Sequence, residues 1–367
     1  MGCSGIAPHY RLAEMTPKPV SNYEELAKLA KVSKATVSLA LRNHSRISRK
    51  TRERVQALAT KHGYRVNPLV AAQMSAIQMG KRAASSASTV GFVAPKTLSE
   101  AKEDLKTPLR YYYDGVKQRA EELGFTIDYI TLLPEDTTNR RLNSILAARG
   151  ICGVIFAPLT EDYPLDDFEF DWEGHALVAL ENTFRKPKIH SICNDEFETI
   201  TRMVEQLESK GYQRIGMAMW ELEDSHVKHI WLAGFRAYQA LLPKPRRIEQ
   251  FITKDWSKDT FLAWFRKCRP EVIICIDDLP MKWLQEEGLR VPDDVGQASL
   301  YWLPSRPHLA GFYQNHESMG AAAIDLLSAQ LYRNERGIPA QPKKVLIQSV
   351  WHDGPSLMEK RTKCATR

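Results

Sequence analysis

A small all-α helix-turn-helix unit followed by a two-lobed α/β domain is the fold class that the 367-residue sequence predicts. Three observations carry this reading. Positive charge is concentrated near the N-terminus. Three short amphipathic segments with helix-capping residues occupy the same stretch. Beyond Thr89, apolar runs of strand length alternate with helical patterns.

The stretch from Lys18 to Arg65 holds twelve Lys or Arg against three Glu and no Asp. That is a surplus of nine positive charges in 48 residues, while the whole chain carries only +7. The remainder is therefore slightly negative. A basic module on a near-neutral body points to a polyanion partner at one end, although a solvated basic helix would give the same surplus. Hydrophobic residues make up 43% of the chain and charged residues 26%, enough apolar mass for a real core. Six cysteines stand at 3, 152, 193, 268, 275 and 364 with no CxxC spacing, so zinc and redox motifs are weakly supported, and no metal or cofactor is expected. Free thiols suit a reducing cytoplasm. No apolar stretch approaches the ~20 residues of a membrane span, and no signal peptide is evident. Residues 1–17 read as a disordered leader, with Met15 an alternative start.

Within residues 18–66, Asn22 with Glu25 three positions on is a variant capping box. Leu26, Ala27, Leu29 and Ala30 then form an apolar stripe. Lys31-Val32 break the helix, and Ser33 caps a second one from Lys34 to Leu41. Its inner face is Val37, Ala40 and Leu41; its outer face is Lys34, Ala35, Ser38, Leu39 and Arg42. Ser48 caps a third helix from Arg49 to His62, ended by Gly63. Helix pairs joined by a short turn make a helix-turn-helix, whose second helix enters the major groove. Lys34 and Ala35 are then placed for base edges, Ser38 and Thr36 for phosphate or bases, and Arg42, Arg46, Arg49, Lys50 and Arg52 for phosphates. A plain three-helix bundle is the competing reading. The small inward residues Ala27, Ala30 and Ala40 and the local charge argue against it.

The run Glu25-Leu26-Ala27-x-x-Ala30-x-Val32-Ser33-x-Ala35-Thr36-Val37-Ser38-x-Ala40-Leu41, then Ile47-Ser48-x-x-Thr51-Arg52-x-x-Val55, then Gly63-Tyr64-Arg65-x-Asn67-Pro68, resembles the lactose-repressor (LacI/GalR) family of bacterial transcription regulators. The resemblance implies a homodimer reading a pseudo-palindromic double-stranded DNA operator, modulated by a small molecule, a carbohydrate by preference. It implies DNA contacts at Ser33, Lys34, Ala35, Thr36, Ser38, Leu39, Arg42, Arg46, Arg49 and Asn67. Leu39 departs from the family, in which a base-reading Arg is common there; leucine offers only apolar contact, for instance to a thymine methyl.

Residues 67–88 are expected to hold a hinge helix and a linker. In the family a leucine of this helix wedges into the minor groove. The matching residue is Gln73, a poor wedge, and Met74 beside it is the candidate substitute. Pairing of this helix with its symmetry mate is the alternative. Lys81 to Ser88 is small and polar, a linker composition.

From residue 89 to 367 the chain reads as an alternating α/β domain. Expected strands are 90–94, 125–132, 153–157, 176–180, 215–219, 249–252 and 272–276, with Lys344 to Val350 as one closing strand. Expected helices are 112–123, 140–148, 198–209, 230–241, 260–267, 279–287 and 318–332. Two such lobes leave a cleft at the carboxyl ends of their strands. The motif Ile192-Cys193-Asn194-Asp195, then Leu207-x-x-x-Gly211-Tyr212-x-x-Ile215, extends the resemblance to the family's type I periplasmic-binding-protein-like sensor domain.

By that resemblance Glu181 and Asp277 fall at ligand-binding carboxylate positions, Trp231 where the family has an Arg, Tyr301 where it has an Asp, and His316 where an aromatic stacks. Trp220 lies near the same strand ends. Aromatic faces with a few carboxylates suit a sugar or another ligand with an apolar face. Trp231 and Tyr301 could equally fill the cleft as core.

No P-loop, GxGxxG after a strand, GxSxG or HExxH occurs, and the adjacent Asp277-Asp278 are expected to point apart, so no catalytic residues are expected. An architectural DNA-binding regulator without an effector is the second non-enzymatic reading.

Overall fold

The computed structural model describes residues 23–41, 46–62, 64, 89–132, 140–159, 170–182, 184 and 186–360. Arg42, Gly63, Asn67, Gln73, Met74, the 1–17 leader and the 67–88 hinge and linker lie outside them. The chain divides into two compact units, with the break between Ala84 and Ser85 apart from a three-residue excursion at Tyr332–Asn334.

The first unit is three helices: α1 (Tyr23–Ala30), α2 (Lys34–Leu41) and α3 (Arg49–Lys61). Leu26, Ala27, Ala30, Val37, Ala40, Val55 and Ala59 are its buried centre, with Val32, Leu41, Ile47, Leu58 and Tyr64 packed around them. Three of the buried side chains on α1 and α2 are alanines, which lets helix axes approach closely. The α1–α2 turn places Lys31 in the left-handed region at φ 50°. Its Val32 N–H donates back to the Ala27 carbonyl at 3.0 Å. Ser33 Oγ accepts from the Thr36 N–H at 3.1 Å, and Ser48 Oγ from the Thr51 N–H at 3.3 Å. Both expected caps are therefore formed.

In the second unit, two six-stranded sheets follow. The first takes β1 (Thr89–Ala94), β2 (Thr126–Thr131), β3 (Gly153–Phe156), β4 (Ala176–Leu180), β5 (His190–Asn194) and β11 (Lys344–Ile347), in the order β11-β5-β4-β3-β1-β2. All its pairings are parallel. The second takes β6 (Ile215–Trp220), β7 (Phe251–Thr253), β8 (Val272–Cys275), β9 (Gly296–Ser299), β10 (Ala310–Tyr313) and β12 (Val350–His352), in the order β12-β10-β9-β8-β6-β7. It is parallel except where β12 runs against β10. In each sheet the first strand sits between the second and third. Strand order reverses there, the switch point beside whose carboxyl ends open α/β sheets bind their ligands.

The expected single strand from Lys344 to Val350 is corrected. It breaks at Gln348-Ser349 into β11 of one sheet and β12 of the other. The chain thus passes between lobes three times, after β5, after β10 and after β11. These crossings are tied together. Asn194 Nδ2 donates to Ser349 Oγ at 2.8 Å and to the Ile347 carbonyl at 3.0 Å. Thr199 Oγ1 donates to Asn194 Oδ1 at 2.9 Å, Arg202 donates to the Ser349 carbonyl at 2.9 Å, and Asn315 Nδ2 donates to the Gln348 carbonyl at 2.7 Å. Buried polar groups satisfied by one another fix the crossings in one arrangement.

Two helices bring residues of different lobes together: α5 (Leu109–Leu123), which follows β1 after the short α4 (Leu98–Glu103), and α12 (His316–Arg333), which follows β10. They meet at glycines. A Cβ on Gly320 would lie 2.2 Å from the Tyr112 carbonyl oxygen, and one on Gly115 2.0 Å from that of Glu317. Only glycine permits this approach, and it presses Tyr112 against His316.

Candidate functional site

In the first unit, the expected DNA-contacting residues that can be placed lie along α2 and the start of α3. Ser33, Lys34, Ala35, Arg46 and Arg49 are exposed; Thr36, Ser38 and Leu39 are half-buried. Two of the cations are already paired. Lys34 Nζ donates to Glu24 Oε2 on α1 at 2.7 Å, with 63% of its side chain exposed. That pairing, reinforced by Lys28, holds the Glu24 carboxyl below its ordinary range. Arg49 Nε donates to Glu53 Oε1 at 2.7 Å with 86% of its side chain exposed. Exposed pairs of this kind contribute little, so a phosphate or base can displace the carboxylate. Glu24 and Glu53 were not singled out in the sequence. Each lies where a helix turn or a neighbouring helix returns it to a basic residue.

In the second unit, the residues expected to bind a ligand fall at the carboxyl ends of strands, though only some converge. Glu181 follows β4 in the left-handed region at φ 58°. Its Oε1 accepts from the Tyr112 hydroxyl at 2.8 Å. Trp231, on α9 (Ile230–Leu241), is 3% exposed, and its ring N–H donates to Glu196 Oε2 at 2.7 Å. Glu196 opens α7 (Glu196–Ser209) and is buried; Gln314 Nε2 stands 3.4 Å from both its oxygens. His316 is fully buried, its ring edge-on to Tyr112 at 5.0 Å, Tyr313 at 5.1 Å and Tyr301 at 5.6 Å between centroids. Neither ring nitrogen of His316 has a hydrogen-bond partner.

The cluster Tyr112, Glu181, Glu196, Trp231, Tyr301, Gln314 and His316 is thus one polar and aromatic site between the lobes. Its electrostatics are unusual. Burial pushes the Glu181 carboxyl up to about 7, while the Tyr112 hydroxyl and the Lys344 charge pull it down. Burial, then the nearby charge of Glu181, pushes Glu196 well above the carboxylate range. Burial alone drops His316 to about 3, so the imidazole is neutral. Tyr112 and Tyr301 are raised well above their usual range by burial and then by Glu181, and remain protonated.

Two expected residues stand apart from this cluster. Trp220, at the tip of β6, is 40% exposed, and among the described residues no hydrogen bond or ring contact joins it to the site. Asp277 turns its carboxylate onto the Leu279 N–H at 3.0 Å, capping α11 (Leu279–Glu286) rather than facing the cluster. Its neighbour Asp278 reaches Lys282 at 3.0 Å and His308 at 3.3 Å, so the adjacent carboxylates diverge as expected. His316 is a buried member of the site, with edge-on ring contacts in place of the expected open stacking face. Tyr112, Glu196 and Gln314 were not foreseen. Glu196 reads from sequence as an ordinary first-turn acid, and Tyr112 as one of three consecutive tyrosines; only the glycine crossing selects it. Among the described residues, no three of His, Cys, Asp or Glu gather to hold a metal ion. No described helix is long and apolar enough to cross a membrane.

Comparison with known proteins agrees with this geometry. Residues 23–67 match the model "Bacterial regulatory proteins, lacI family", and residues 204–356 match "Periplasmic binding protein-like domain". The lactose operon repressor of Escherichia coli (strain K12) is 24% identical over 332 residues, 84% of each chain. The HTH-type transcriptional regulator AscG of the same organism is 26% identical over 217 residues, 58% of this chain and 59% of AscG. Among solved structures, the lac repressor dimer bound to operator and the anti-inducer ONPF superposes with a TM-score of 0.54, at 22% identity, covering 93% of this chain and all of that one. The transcriptional regulator CelR in complex with cellobiose gives 0.53 at 20% identity, covering 91% of this chain and 99% of that one. With its helix-turn-helix unit and its periplasmic-binding-protein-like unit both matched, the chain belongs to the lacI family of bacterial transcription regulators.

Proposed function

We propose that the chain is a repressor. It binds a pseudo-palindromic operator as a homodimer in the cytoplasm, and a small carbohydrate-like effector in the cleft changes its hold on DNA. The observation that carries this reading is the cluster of Tyr112, Glu181, Glu196, Trp231, Tyr301 and His316 at the switch-point crevice, where aromatic faces and hydrogen-bonding groups converge. Solved relatives of the same fold support it: one holds cellobiose, and a CCPA regulator from Weissella paramesenteroides, at a TM-score of 0.53 and 16% identity, holds glucose. Ser33, Lys34, Ala35, Thr36, Ser38 and Leu39 would face bases and the adjacent backbone, and Arg42, Arg46, Arg49 and Asn67 phosphates. The Met74 segment would serve as wedge or dimer contact. A ligand bridging the lobes would favour one setting of the three crossings and so bias the DNA-competent state.

A second reading rests on the packing. Trp231 and His316 fill their own space, which suits a regulator with no effector. Thermal shift and operator-binding anisotropy across mono- and disaccharides separate the two. Stabilisation together with altered operator affinity supports the sensor. Operator binding insensitive to every compound supports the constitutive regulator.

A further inference from the structure

Resting on the reading of the cleft as an effector site, we infer that the effector carries a protonated amino group together with hydroxyls, as an amino sugar does, and that Glu181 and Glu196 receive the amino group. Two carboxyls share this buried site, and among the described residues no Lys or Arg forms an ion pair with either. Lys344, whose charge reaches Glu181, donates its ammonium to Asn182 Oδ1 at 2.7 Å. The hydrogen bonds they do receive come from neutral groups: Tyr112, Trp231 and the distant Gln314 amide. Burial and mutual repulsion hold both carboxyls toward their protonated forms; a bound ammonium stabilises their charged forms, whereas a bound carboxylate or phosphate meets them with repulsion.

The surrounding rings point the same way. Tyr112, Tyr301 and Trp231 bound the site with aromatic surface, which attracts a desolvated ammonium through the ring quadrupole. His316 supplies the independent sign of an absent ligand. It is fully buried, it touches Tyr112 and Tyr301, and both its nitrogens lack partners. A neutral imidazole offers one acceptor and one N–H donor. The acceptor matches an ammonium N–H and the donor a hydroxyl oxygen. A ligand with both groups satisfies His316, whereas a simple alkylamine leaves one nitrogen orphaned.

Calorimetry near pH 7 on the full chain tests this with matched probes: glucosamine, glucose, N-acetylglucosamine and glucuronate, and the β-1,4-linked glucosamine dimer beside cellobiose. The amine form is expected to bind about ten-fold or more tighter than its neutral parent, with the gain lost on N-acetylation and glucuronate weakest. Glu196→Gln should remove most of that gain, bringing the amine and its neutral parent to within about two-fold of each other. Its thermal melt, with one less buried carboxyl, reports that the variant folds. Equal or tighter binding of the neutral parents overturns the amine selectivity and leaves the sugar-sensing cleft standing. A gain retained in folded Glu196→Gln overturns the assignment of that carboxyl. Binding of none of the six probes overturns both the selectivity and the sensor reading beneath it.

Discussion

Lys34 and Arg49 carry the same charge but, on the proposed function, would meet DNA in different ways. Lys34 heads α2, the proposed reading helix, and Arg49 opens α3, where it would lie beside the phosphate backbone. Lys34→Ala is expected to narrow the affinity ratio between operator and random duplex. Arg49→Ala should weaken both alike and reduce the salt slope by about one. Equal effects of the two on specific and random DNA, measured by anisotropy, would contradict the assignment of α2 as the reading helix. His316 makes a different prediction. Its folded value near 3 lies below the unfolded 6.5, so the unfolded chain takes up a proton first on acidification. The contribution is present above pH 6.5 and is lost as pH falls toward 3, at up to about 1.4 kcal/mol per pH unit. His316→Leu should therefore lose less stability than wild type between pH 6.5 and 5. Glu181 acts with the opposite sign. Its folded value near 7 exceeds the unfolded 4.5, so the folded state is penalised as pH rises between them. Glu181→Gln should gain stability over wild type as pH rises from 5 to 8, and denaturant melts at the two pH values measure it.

Elements differ in how plainly they are written. The helices Arg140–Ala148 and Ile230–Leu241 match their expected bounds because an amphipathic repeat and polar or proline flanks mark them. The caps Ser33 and Ser48 were legible because their chemistry is local. By contrast β9, GQAS, and β10, AGFY, are short, and small or polar residues break the apolar run that signals a buried strand. The break of the last strand was hidden for another reason. Its apolar pattern runs across Gln348-Ser349, and only the partners Asn194, Thr199 and Arg202, some 150 residues away, decide where it changes sheet. The candidate site was half legible. Glu181, Trp231, Tyr301 and His316 followed from family position, while Glu196 and Tyr112 are set by tertiary contacts. The α5–α12 crossing is testable on its own. Gly320→Ala places a methyl 2.2 Å from the Tyr112 carbonyl oxygen, so it should cost about 1–3 kcal/mol in a denaturant melt and shift near-ultraviolet signals from the tyrosines packed there.

At the scale of the molecule, a basic three-helix unit and a two-sheet unit divide the work. The first supplies charge and the proposed reading helix. On the proposed function, the second supplies a cleft whose carboxyls and rings would receive an effector, and three tied crossings through which occupancy would alter the relation of the lobes. The asymmetry of charge along the chain already separates the two roles. Whether the chain reads sequence, and reads it with two-fold symmetry, is tested most directly by selecting binding sites from a pool of random duplexes with the full protein at near-physiological salt. Enrichment of one short site with two inverted halves about one helical turn apart is the predicted result. A pool that gains affinity without any consensus, or a consensus with no inverted repeat, would contradict it.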